Sequence, residues 1–388
     1  MKKVLFVSTQ FLTEKTDHGG IGNYIYKMSK ALMERGHAAE VLVTSTENKG
    51  TTTFDGIYVH RVYINTFLNR LCKRFGKIPY MKIPSLLAGR AAVAYQVRKK
   101  FTGLNRSKSY DIVQVPNYQV PGLFISRSKS HRLYNRISSN RILYDTAENG
   151  KVDLAGRLEN RLDVLQALKS DVVYAPSRYL ANYLRKTHGL DVEVAYPPAE
   201  LGGIGLEGVE DKLPRKYLIH YGYLSRRKGT DIVAEALKIA LDEQPDICMI
   251  FAGKMSIKMR YLEMDEFWGD LKKSVHFAGF LEKKRIYSLV AGAHYTVLPS
   301  RVDNLPNTVI ESLSLGTPVI GSNNSSIEEI VKPGINGMLI ENGNIEELAE
   351  ALKDVWSRRC LCSSRQVKGS LEGFDTEKSV RDFLGYSG

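Results

Sequence analysis

The chain has 388 residues, 43% of them apolar and 25% charged, with a net charge of +13; this is too long for one growing core and too apolar for disorder, so two globular domains are expected. Residues 1–200 hold 31 Lys and Arg against 16 Asp and Glu, whereas residues 201–388 hold 24 against 26, which points to an anionic partner for the first half. No run of 18 apolar residues is present to span a bilayer, and four scattered cysteines (Cys72, Cys248, Cys360, Cys362) argue for a reducing cytoplasm rather than an exported disulfide scaffold.

The opening MKKVLFVSTQF has an apolar run too short for a secretion signal, and VLFVS (4–8) reads as a first buried strand. HGGIGNYIYKMSKAL (18–32) follows it and opens a helix. Gly19, Gly20 and Gly22 either let backbone amides approach a phosphate at the helix N-terminus or simply allow close helix packing. The dinucleotide fingerprint is incomplete, because Ile25 stands at its third glycine and no acid ends the second strand, EVLVT (40–44).

Between residues 67 and 83, FLNRLCKRFGKIPYMKI places Leu68, Leu71, Phe75 and Ile78 at helical spacing with Arg70, Lys73, Arg74 and Lys77 alongside. A basic amphipathic segment of this kind suits an anionic membrane surface, although Phe67, Leu68 and Leu71 could equally pack inward. LNRSKSY (104–110) and RSKSHRLYNR (127–136) add to the same positive field. No helix-turn-helix, aromatic RNA-binding strand or zinc spacing accompanies the charge, so nucleic acid is not expected as a partner. DIVQV (111–115), RILY (141–144), DVVYA (171–175) and VEVA (192–195) continue as expected strands.

The pattern restarts after the Pro- and Gly-rich YPPAELGGIG (196–205), with YLIHYG (217–222), ICMIFAG (247–253), VHFAG (275–279), YTVLPS (295–300) and TPVIGS (317–322). Strands alternating with helical segments predict two doubly wound, Rossmann-like α/β domains, residues 1–198 and 199–373. The terminal FDTEKSVRDFLGY (374–386) reads as an amphipathic helix that can pack back onto the first domain.

In such sheets ligands bind at the carboxyl ends of strands. YGYLSRRKGTDIV (221–233) sets Gly222, Arg226, Arg227 and Lys228 just before a helix opened by Gly229, Thr230 and Asp231. Clustered cations at a helix start make a diphosphate site, or else a solvated basic turn. PSRVDNLPNTVIESLSLGTPVI (299–320) places Asp303 in a loop, Pro306 at a helix start, and Glu311 about a turn and a half inside a helix that stops at Gly316. Two acids so placed cannot both cap that helix. On periodicity alone they read as one acid at the helix dipole and one facing solvent.

Taken together, the glycine pair before the first helix, RGH (35–37), the RKG turn, the acid-x7-Glu loop with GTPVI after it, and NGMLI (336–340) resemble retaining glycosyltransferases of family 4, whose GT-B fold sets two Rossmann-like domains facing across a cleft. The resemblance is densest from Tyr217 to Trp356. It implies that Glu311 accepts from the ribose hydroxyls of a nucleotide-diphospho-sugar, that Asp303 holds the donated sugar, and that the backbone from Asn304 through Leu305 and Asn307 to Thr308 meets sugar and phosphate. Lys228 falls on the family's phosphate-binding lysine and Gly20 on its diphosphate-facing glycine. Two positions depart from the pattern: Tyr223 replaces an arginine, with Arg226 or Arg227 to supply the charge, and Tyr144 or Asp145 stands where a histidine usually follows the strand read at RILYDTAEN.

The implied activity is transfer of a hexose, with retention, to a glycan or lipid-linked acceptor in cell-surface polysaccharide synthesis. A UDP-sugar is favoured over a GDP-sugar as donor. No Asp-x-Asp is present, so no metal and no further cofactor are expected, the cations and helix start neutralising the leaving diphosphate instead. The expected location is cytoplasmic, on the inner face of the plasma membrane. A GT-B nucleotide-sugar epimerase, or a scaffold subunit impaired at Tyr144, are the alternatives.

Overall fold

The computed structural model describes residues 1–14, 20–64, 74, 78–198, 214–357 and 363–385. It divides into two compact units. The first comprises Met1–Thr146, Lys151–Pro198 and Thr376–Gly388; the second comprises Ala147–Gly150 and Ala199–Asp375.

The first unit is an eight-stranded sheet of β1 (Lys3–Ser8), β2 (Ala38–Ser45), β3 (Thr51–Phe54), β4 (Ile57–Tyr63), β5 (Ile112–Pro116), β6 (Arg132–Arg136), β7 (Val172–Ala175) and β8 (Glu193–Val194), in the order β3-β4-β2-β1-β5-β6-β7-β8. All pairs are parallel except β3–β4. Both faces are covered, which is why β1 is an unbroken apolar run. Val4 and Phe6 pack with Ile25, Met28 and Leu32 of the helix Gly20–Glu34, while Leu5 and Val7 pack with Val97 and Phe101 of the helix Lys82–Lys108. Each fully buried Leu or Phe contributes about 2 kcal/mol. The terminal helix Thr376–Gly385 lies on the first of these faces, where the Phe383 ring stacks at 5.9 Å on Phe6.

The second unit is a six-stranded, all-parallel sheet of β9 (Leu218–Tyr221), β10 (Met249–Ala252), β11 (Val275–Gly279), β12 (Tyr295–Leu298), β13 (Val319–Ser322) and β14 (Gly337–Ile340), in the order β11-β10-β9-β12-β13-β14. In chain order within the unit this is 3-2-1-4-5-6, so the strand order reverses between β9 and β12. A crevice for ligand is expected there, outside the carboxyl ends of those two strands.

Three differences from the sequence reading have physical causes. RILY is not a strand: Arg141–Asn149 is a helix, started by Asn140, whose Oδ1 accepts from the Leu143 N–H at 3.1 Å, and braced by Arg141 Nε donating to Asp145 at 2.6 Å. The strand instead lies nine residues earlier, at β6, inside what read as a basic run. Its second arginine is sheltered, for the Arg136 guanidinium lies 3.7 Å from the centroid of the Tyr24 ring. The β3–β4 hairpin also went unread, although Asp55-Gly56, both at positive φ, is a strong hairpin signal.

Candidate functional site

The loops after β9 and β12 meet at the switch point. After β9 the chain turns through Ser225: the Lys228 N–H donates to Ser225 O at 3.1 Å, the Gly229 N–H to Arg226 O at 3.0 Å, and the helix Thr230–Glu243 begins. The loop after β12 is tied to it by the Arg301 N–H donating to Arg227 O at 2.9 Å. Beneath both, His220 Nδ1 donates to Val297 O at 2.7 Å and Nε2 accepts from the Thr230 hydroxyl at 2.9 Å. Burial pulls this imidazole down to about 4, so it stays neutral and acts as a structural bolt.

Half-buried Lys228 and buried Asp303 form an ion pair across these loops. Burial alone would raise the Asp303 carboxyl, but Lys228 and Arg227 hold it below its ordinary value. Burial pulls the Lys228 ammonium down, with Asp303 opposing the shift. The second Asp303 oxygen accepts from the Asn304 N–H at 3.0 Å. Arg226 is partly exposed and lies 3.8 Å from Asp231, whereas Arg227 Nη1 donates to Val302 O at 3.2 Å. Of the three cations, Lys228 is therefore the one built into the crevice.

The helix Asn307–Leu315 follows, with Pro306 as N-cap and no side chain capping it. Its leading N–H groups suit an anion. Tyr221 fixes the first turn from below by donating to Thr308 O at 2.7 Å. Glu311, half-buried one turn on, accepts from the Tyr287 hydroxyl at 2.8 Å. Beside it opens a cavity of about 290 Å³, lined among others by Gly222, Tyr223, Phe280, Ile286, Tyr287 and Glu311. Glu311 thus faces a cavity, not bulk solvent. Such a space, apolar with a few convergent polar groups, is the form small-molecule sites take.

The structure brings together Gly222, Arg226, Arg227, Lys228, Asp303, Asn304, Leu305, Asn307, Thr308 and Glu311 in the loops and helix starts of the second unit. It leaves Gly20, Tyr144 and Asp145 in the first. Gly20 is exposed and opens the helix Gly20–Glu34; Gly19 lies outside the described residues. Gly22 serves packing, since a Cβ there would come 3.3 Å from the Phe11 Cα. Tyr144 and Asp145 do not follow a strand: they sit inside the helix Arg141–Asn149, where Asp145 pairs with Arg141. The positions that do follow β6 are Ile137 to Asn140. Phe280 and Tyr287 were missed, because they belong to no motif and reach the cavity only through the fold. Among the described residues no cluster of three His, Cys, Asp or Glu is placed to hold a metal ion.

Known proteins resemble this chain along most of its length. The profile of glycosyltransferase family 4 matches residues 18–201, and that of glycosyl transferases group 1 matches residues 208–367. The spore coat protein SA of Bacillus subtilis is 29% identical over 187 residues, 46% of this chain and 46% of that protein. The amylovoran biosynthesis glycosyltransferase AmsK of Erwinia amylovora is 26% identical over 137 residues, 33% of each. The chain covers less than half the length of either relative. Among solved structures, Anabaena HepE in complex with UDP and glucose superposes with a TM-score of 0.68 at 17% identity, covering 99% of each chain. That likeness shows a GT-B fold.

Proposed function

Because the chain belongs to the glycosyltransferases of the family 4 type, we propose that it transfers a hexose, with retention, from a nucleotide-diphospho-sugar to a glycan or lipid-linked acceptor. The observation that carries this reading is an uncapped helix start whose Thr308 and Glu311 line one cavity with Gly222 of the loop after β9, the same loop that the Lys228–Asp303 pair ties to the loop after β12. In the reaction the bond from the anomeric carbon to the diphosphate oxygen breaks, and a bond to the acceptor hydroxyl oxygen forms as that hydroxyl passes its proton to the departing diphosphate. Glu311 accepts from the ribose hydroxyls and Asp303 from the sugar hydroxyls. Lys228, the N–H groups of Asn307 and Thr308, and Arg226 or Arg227 stabilise charge gathering on the departing diphosphate. Gly20, at the open head of its helix, is the first unit's candidate for an anion contact.

A UDP-sugar is the donor this reading favours, in keeping with the UDP bound to HepE. Cell-surface polysaccharide synthesis is its setting, by analogy with the amylovoran enzyme. No helix among the described residues is long and apolar enough to cross a membrane. Membrane association would rest on residues 67–83, of which 67–73 and 75–77 lie outside the described residues. The exposure of Ile78, Tyr80 and Met81 supports it.

Thermal shift of the purified chain with UDP-, GDP- and ADP-sugars tests the donor site, since a ligand that binds only the native state raises the melting temperature. A UDP-sugar is expected to give the largest shift, with UDP then released only when acceptor is added. No shift with any nucleotide sugar would overturn the reading, and conversion of the sugar without UDP release would replace transfer by epimerisation.

A further inference from the structure

We propose that Tyr287 is a positioning residue that presets the Glu311 carboxylate, and through it the enzyme's preference for a ribonucleotide over a deoxyribonucleotide. This rests on the reading of Glu311 as the ribose ligand. Tyr287 stands on the helix Lys283–Gly292, is only 2% exposed, and sends its hydroxyl to Glu311 Oε1 at 2.8 Å. Among the described residues no other hydrogen-bond donor reaches that carboxylate. The Oε2 oxygen therefore remains available to a ligand in the adjoining cavity, which both residues line.

The geometry matters because a glutamate on a helix surface is otherwise free to turn about three side-chain bonds, and ordering it on binding costs affinity. A buried phenol that holds one oxygen fixes where the other points before ligand arrives. The phenol is suited to this, because burial, and then the neighbouring carboxylate, push its pKa far above the ordinary tyrosine value. It stays a neutral donor at any working pH. The two helices involved are separately anchored: Tyr217, buried just before β9, donates to Leu289 O at 2.8 Å on the Tyr287 helix, and Tyr221 holds Thr308 on the Glu311 helix. The Tyr287–Glu311 bond is thus the hinge pin between two fixed elements, not a contact that follows the ligand.

The test is calorimetric titration of the full chain with UDP and with 2′-deoxy-UDP, using wild type, Tyr287→Phe, Glu311→Ala and the double variant. Tyr287→Phe keeps the ring in its packing and deletes only the donor. Wild type is expected to prefer UDP by tenfold or more, and Tyr287→Phe to lose most of that preference while 2′-deoxy-UDP binds as before. The double variant should be no weaker for UDP than Glu311→Ala alone. If Tyr287→Phe weakens both nucleotides equally, or weakens neither, the positioning role is overturned while the ribose reading stands. If Glu311→Ala keeps the wild-type preference, or wild type has none, the ribose reading itself fails and the positioning role with it.

Discussion

The Lys228 ammonium and the Asp303 carboxylate lie against each other beneath the surface of the second unit, joining the loop that follows β9 to the loop that follows β12. Among the described residues neither charge has a second partner of opposite sign as close. Removing one partner strands the other in a poorly solvated place, which costs more than the pair contributes. Asp303→Asn is expected to lower the unfolding free energy by about 3 kcal/mol, read from urea denaturation. Lys228→Met combined with Asp303→Leu should recover part of that loss. Strictly additive losses would show that the two side chains are not coupled. Both variants should lose donor-induced thermal shift if Lys228 and Asp303 hold the donor as proposed.

Gly229 has φ +77° and a Cβ there would lie 2.2 Å from the Pro299 carbonyl oxygen. That contact is backbone against backbone, so no side chain can yield to relieve it. Gly229→Ala must push the RKG turn away from β12 and open the gap that the ion pair closes. Its expected signature is loss of donor binding together with a lowered melting temperature. A variant with wild-type stability and affinity would show that the turn does not need this close approach.

Much of this arrangement could be read from residue order. The strands of the second unit are buried on both faces, so they appear as plain apolar runs, and the glycine, cation and acid loops follow them directly. The first unit was harder for local reasons. The three apolar residues of RILY fit a strand or a helix equally, and only Asn140 as cap and the Arg141–Asp145 pair decide for helix. β6 was hidden because its ends are arginines; the charge of Arg136 is masked by the Tyr24 ring, which no linear pattern reveals. Tyr287 was illegible for a different reason. It is 24 residues from Glu311 along the chain, and only the packing of their two helices brings the hydroxyl to the carboxylate.

Glu40 makes an acid-sensitive contribution to the first unit. Its carboxylate accepts from His60 Nε2, Lys108 Nζ and the Tyr110 hydroxyl, each at 2.7 Å. Burial would raise it, but these three donors outweigh burial and hold it at about 2, against an ordinary 4.5. A folded-state value below the unfolded one means that the stabilisation is complete above about pH 4.5 and drains away as pH falls towards 2. Wild type should therefore lose urea resistance through that window more steeply than Glu40→Gln. Parallel curves for the two proteins would rule this linkage out.

Asp163 works in the opposite direction. It lies on the helix Leu154–Leu168 and accepts from Asn117 Nδ2 at 2.9 Å. Burial pushes its carboxyl up to about 8, with Asn117 opposing and Glu159 assisting. The folded chain then holds a proton that the unfolded chain has released, so stability falls as pH rises from about 4 to about 8. Asp163→Asn keeps an acceptor for Asn117 and removes the proton. The variant should flatten this part of the stability profile and equal or exceed wild type at pH 8. A wild-type profile that rises across the same range would contradict the assignment.

The proposed membrane association would rest on the segment around residues 67–83, and two forces can be separated there. Arg70, Lys73, Arg74 and Lys77 supply charge, each worth about 1 kcal/mol near an anionic surface and screened by salt. Tyr80 supplies apolar contact: it is 93% exposed at the start of a long helix, with Ile78 and Met81 exposed beside it. If both act, the protein sediments with vesicles containing anionic lipid and not with neutral ones, and raising the salt releases it. Neutralising the four cations together should abolish sedimentation, whereas Tyr80→Ser should weaken it while leaving the salt dependence intact. Sedimentation unchanged by the four neutralisations would return the segment to a packing role, and the positive balance of the first 200 residues would then have to be met by the acceptor itself.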